Sequence, residues 1–176
     1  RSQLLSRNPE RRIEALQELR EFPQVGAAQL IVRTALEDDV AEVQAVAYET
    51  LAELSQDEAI NKFLFTTLQK DYRRKEKQRS IETLLLVLLS SGVPETREAL
   101  EQWLDQTIDP AFLQRITQRG DPTAVELLRR LSETEVFENR FAFRRAIVLA
   151  LTQLDQPEAV DALIELLAGI GGEERV

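Results

Sequence analysis

The chain has 176 residues, a net charge of −9, no cysteine and no histidine. Disulfides, thiolate chemistry and thiol metal sites are therefore excluded, and the commonest general base and nitrogen ligand is missing. A hydrophobic share of 43% is enough for a continuous core, while the acidic balance disfavours nucleic acid and anionic membranes as partners.

Few glycines and prolines, few β-branched runs and many Leu, Ala, Glu, Gln and Arg point to helix. Apolar residues recur at spacings of three and four almost throughout, the amphipathic-helix signal. No apolar run approaches the ~18 residues that a membrane span needs, and no signal peptide opens the chain. It begins on Arg1 and holds no Met, so a piece of a longer protein is expected.

Asn8 and Pro9 form an N-cap and first turn for a helix over residues 9–21, which Pro23 ends. The spacing then predicts helices over 24–37, 40–54 (led by Asp38 and Asp39 as a cap) and 57–69. A long helix over 71–90 stops at "SSGVP". Further helices are expected over 94–106, 110–118, 122–132, 135–154 and 157–168. "GIGGEERV" reads as the end of the unit, so residues 1–170 are taken as one domain and 171–176 as a tail or linker start.

Internal repetition is visible when the chain is slid along itself. An offset of 32 brings Ala15, Leu19 and Phe22 onto Ala47, Leu51 and Leu54. An offset of 100 brings Leu51 and Leu54 onto Leu151 and Leu154, and Glu58, Ala59, Ile60, Phe63 and Leu64 onto Glu158, Ala159, Val160, Leu163 and Ile164. The middle fits less well, and five helix pairs emerge, over 8–37, 39–69, 71–107, 109–132 and 134–168.

The stretches "VQAVAYETLAELSQDEAINKFLFTTL" and "FRRAIVLALTQLDQPEAVDALIELL" resemble HEAT repeats, more narrowly the bacterial HEAT-like repeats also found in phycobilisome lyases. The family pattern is a helix with Arg near its start and an Ala-Leu ending, an acidic turn leading into Ala-Val, and a second helix reading Leu-Ile-x-x-Leu. The resemblance implies an all-α fold, a right-handed α-solenoid whose second helices line a concave side, and a cytoplasmic, bacterial setting. It implies a scaffold that binds a protein partner, with no catalysis and no cofactor. The alternative it leaves open is a phycobilin lyase-like or accessory subunit holding a tetrapyrrole.

The run "QKDYRRKEKQRS" carries six basic against two acidic residues. It is either a docking patch for an acidic partner or a solvated helix start in which Glu76 pairs with its neighbours. Candidate partner-binding residues are Arg73, Arg74, Lys75, Lys77 and Arg79, with Gln29, Arg33, Lys62 and Phe65 on exposed positions of second helices. Trp103, beside Leu100 and Leu104, is expected in the core. Phe137, Phe141 and Phe143 are expected to anchor a long helix or to form a partly exposed patch. The resemblance to HEAT-like repeats implies that Arg144 and Arg145, with Arg140 one turn before, pair with an acidic residue of the preceding turn and lock adjacent repeats. The last helix stays apolar enough that a further repeat or a self-contact is expected to cover it.

Overall fold

The computed structural model describes residues 3–74, 77–120 and 122–173, the last four of these and residue 119 by their backbone alone. The described residues are helical, with no strand among them. After a 3-10 turn at Gln3–Leu5 come α1 (Pro9–Arg20), α2 (Val25–Glu37), α3 (Ala41–Leu54), α4 (Glu58–Asp71), α5 (Gln78–Ser90) and α6 (Pro94–Thr107). These are followed by α7 (Pro110–Arg119), α8 (Pro122–Ser132), α9 (Glu135–Asn139), α10 (Phe141–Thr152) and α11 (Pro157–Glu173). No described helix is long and apolar enough to cross a membrane.

The starts follow from cap chemistry. Asn8, Asp57, Asp109 and Thr134 each accept a backbone N–H of the turn they precede. Gly120 ends α7 in the left-handed conformation, at φ 59°, where a side chain would be strained. Asp38 behaves otherwise than expected. Its carboxylate accepts the Val40 N–H at 3.0 Å, one residue before α3, and spends its other capacity on Arg12.

The chain divides within α6 into two compact units, residues up to Glu98 and residues from Ala99. In the first, α1, α3 and α5 are neighbours in one layer and α2 and α4 in another, with α2 against α3 and α4 against α5. From Leu84 to Leu89 helix α5 is apolar on every side and buried throughout, as befits a segment enclosed by other helices, while its first turns carry Arg79, Ser80 and Glu82. In the second unit α7 and α10 are neighbours, α11 packs against α8, and α10 packs against α8, α9 and α11.

The repeat seen in the sequence is also a repeat of bonds. Arg12, Gln44 and Arg144, related by the offsets of 32 and 100, each donate to the carbonyl six residues earlier, those of Ser6, Asp38 and Glu138. Each thus pins the chain entering its helix. The buried positions of α3, Val43, Ala47, Thr50, Leu51 and Leu54, recur as Phe143, Ile147, Ala150, Leu151 and Leu154.

Three expected boundaries are corrected. The helix expected over 71–90 begins at Gln78, because α4 ends at Asp71 and Ser80 donates to the buried Asp71 carboxylate at 2.8 Å across the turn. The helix expected over 135–154 is two helices, broken where Arg140 turns extended and donates to Asp105. Helix α11 runs through Gly171 and Gly172 to Glu173, into the stretch expected as a tail; residues 174–176 lie outside the described residues. Of the three phenylalanines, Phe137 and Phe143 are buried but Phe141 is 75% exposed. Trp103 is half-buried between the buried Leu100 and Leu104. Arg144 bonds backbone carbonyls rather than a carboxylate, and Arg145 is exposed.

Candidate functional site

A groove of the first unit, about 730 Å³, runs along α2. Its apolar lining is Leu30, Val32 and Leu36 from α2 with Leu4 and Leu5 from the 3-10 turn. Its polar lining is Gln29, Arg33, Thr34 and Glu37 from α2, Asp38 just after it, Asp71 at the end of α4, and Lys77 and Ser80 from the start of α5. Helical phase explains the first set. Val32 and Leu36 correspond by the offset of 32 to Leu64 and Leu68, which are fully buried in α4, yet on α2 they are only half-buried. Apolar side chains that the repeat would cover are therefore left lining an open groove.

The carboxylates along this groove already have partners. Arg33 Nε donates to Glu37 at 2.9 Å, and Asp71 accepts from Ser80. Asp38 accepts from Arg12 at 2.8 Å, and the same guanidinium reaches Asp39 at 3.0 Å. Among the described residues no carboxylate lies within ion-pair distance of Lys77, Lys70, Arg73, Arg74 or Arg79. Lys77 is thus a lining cation without a carboxylate partner among the described residues, while Asp71, held by the neutral Ser80 hydroxyl, is hydrogen-bonded but not neutralised.

Burial pushes the Asp38 carboxyl upward, but the hydrogen bonds from Arg12 and the Val40 N–H and the nearby Arg12 charge outweigh it, so its pKa lies below the ordinary value. In the second unit Glu126 is also held low, first by its hydrogen bond from Arg129, against burial and with help from Arg130. A lowered carboxylate contributes stability that is present above its unfolded pKa, about 4, and is lost as pH falls through the folded value. Thermal midpoints measured from neutral to acid pH are expected to fall across that window, and to fall less steeply in Asp38→Asn.

Of the residues singled out in the sequence, the structure brings Gln29, Arg33 and Lys77 into one groove. Arg73 and Arg74 are exposed and line a separate open pocket of about 420 Å³ with Gln69 and Lys70. Arg79 and Lys62 are exposed and Phe65 half-buried, and none of them lines either pocket. Lys75 lies outside the described residues, as does Glu76 with its expected pairing. Sequence reasoning missed Leu4, Leu5 and Ser80. The two leucines precede the first predicted helix and carry no periodic signal of their own, and Ser80 was read as the interior of a longer helix.

Residues 143–169, which span most of α10 and α11, match the family model described as PBS lyase HEAT-like repeat. The chain thus carries a HEAT-like repeat in an all-helical fold, as the recurrent bonds and burial had indicated. No curated protein and no solved structure matches it significantly.

Proposed function

We propose that the chain is a non-catalytic helical-repeat scaffold that binds an acidic, amphipathic segment of a protein partner along α2. The fold we infer is a right-handed solenoid of about five helix pairs with second helices on its concave side. The observation that carries the reading is the joining of Gln29, Arg33 and Lys77 over an apolar floor in one groove. Leucines of the partner would cover Val32 and Leu36, and its carboxylates would meet Lys77 and compete with Glu37 for Arg33. Arg73 and Arg74, which line a separate pocket, and Arg79, Lys62 and Phe65, outside the groove, are proposed as further contacts, as is Lys75, which lies outside the described residues.

A fluorescently labelled peptide with leucines three and four apart and glutamates between them tests this by anisotropy. Arg73→Glu with Arg74→Glu is expected to weaken binding about tenfold, and binding is expected to weaken as salt rises. Affinity unchanged by both would overturn the reading. A second reading, a groove that holds a tetrapyrrole, takes support from the lyase in the matched family's description and from a groove volume in the range of ligand sites. Incubation with a bilin would then change its absorbance spectrum.

A further inference from the structure

We propose that Lys70, Arg73 and Arg74, at the end of α4, form a binding site for a phosphoryl dianion. The site is distinct from the α2 groove and does not depend on it. The three cations and Gln69 line one open pocket of about 420 Å³, and all four residues are exposed. Among the described residues, no hydrogen bond or ion pair engages any of the three charged side chains.

A second pair of adjacent arginines in the same chain shows what is absent here. Arg129 and Arg130, in the last turn of α8, share Glu126, which stands three residues before one and four before the other, at 3.0 and 2.8 Å. Glu133, four and three residues after them, closes the network at 2.8 and 3.4 Å. The same spacing around Arg73 and Arg74 falls on Lys70 and Lys77. Cations thus stand where α8 has its carboxylates. The acidic residue beside them, Asp71, is buried and accepts from Ser80. The pair at the end of α4 is left to take its counter-charge from solution.

The helix end does not account for the cluster. A helix C-terminus carries about half a negative charge, which one cation offsets. The carbonyls of Leu68, Asp71 and Arg74 also accept the backbone N–H groups of Tyr72, Arg74 and Lys77 as the chain turns away. Chemistry then selects the ligand. A carboxylate offers one charge, whereas a phosphomonoester carries about −1.5 to −2 and three strong acceptor oxygens. That set answers two planar guanidinium forks and one ammonium together. The cations sit in one pocket of a chain whose net charge is −9, which favours a compact anion over a long polyanion that would run onto acidic surface.

The test titrates the chain with a blocked Gly-phosphoserine-Gly tripeptide, which has no leucine to engage the floor of the α2 groove, and follows backbone amide NMR shifts. Saturable shifts are expected at Gln69, Lys70, Arg73 and Arg74, and Gly-Glu-Gly is expected to bind at least about tenfold more weakly. Lys70→Glu, which rebuilds the arrangement of α8, is expected to weaken phosphopeptide binding at least about tenfold. Arg73→Gln with Arg74→Gln is expected to do the same with an unchanged circular dichroism spectrum, since both side chains are exposed. Arg33→Glu is expected to leave this binding unchanged, so failure here and failure of the α2 reading are told apart. Inorganic phosphate is the third ligand. Weaker binding than the tripeptide assigns the site to a phosphorylated partner, equal or tighter binding assigns it to free phosphate, and both uphold a phosphoryl site. Absence of saturable shifts at residues 69–74, equal affinity for the glutamate tripeptide, or binding untouched by Lys70→Glu would overturn the proposal.

Discussion

Leu64→Ala is expected to destabilise the first unit by about 2–5 kcal/mol, while Ile164→Ala changes stability by less than about 0.5 kcal/mol. The two residues occupy the same place in the repeat and have nearly the same volume. Leu64 is fully buried between α4 and its neighbours, so truncation loses transfer free energy and leaves a cavity. Ile164 is 60% exposed, so its side chain gives up little on truncation and leaves no void. Urea denaturation of the two variants, followed by far-UV circular dichroism, reads the difference directly. An Ile164→Ala penalty as large as that of Leu64→Ala would mean that α11 is already covered in the isolated protein.

Reversing both groove cations, Arg33→Glu with Lys77→Glu, is expected to weaken the acidic leucine peptide about a hundredfold. A charge-assisted contact is worth about 1.5–3 kcal/mol, and each reversal replaces attraction by repulsion. Folding is expected to survive, because Arg33 is exposed, its pairing with Glu37 is a surface i,i+4 pair, and Lys77 has no carboxylate partner among the described residues. Unchanged unfolding midpoints with lost binding, followed by titration of the labelled peptide, would assign the effect to the groove rather than to the scaffold.

Much of the architecture was legible because its causes are local. Asn8 with Pro9 and Asp57 announce helix starts by satisfying N–H groups that no helix can pair internally. The offsets of 32 and 100 were visible because buried positions such as Leu51 and Leu151 must stay apolar. Legibility failed where tertiary contacts overrode propensity. Residues 71–77 are rich in good helix formers and lack Gly or Pro, so nothing local marks the turn that Ser80 and Asp71 close. The break at Arg140 likewise depends on Asp105, 35 residues away.

The candidate site was legible in its parts and not in its assembly. Helical phase placed Gln29 and Arg33 on an exposed face, and a charge run drew attention to Lys77. Only the fold shows that these three share a groove with Leu4 and Leu5, and that Lys62 and Phe65 stand outside it.

Amide hydrogen exchange with and without the acidic leucine peptide tests the central claim, that this helical-repeat chain binds a partner along α2, most directly. The account predicts added protection in α2 and at the start of α5, around residues 77–80, with α10 and α11 unchanged. Protection absent from α2, or appearing only in α10 and α11, would contradict it.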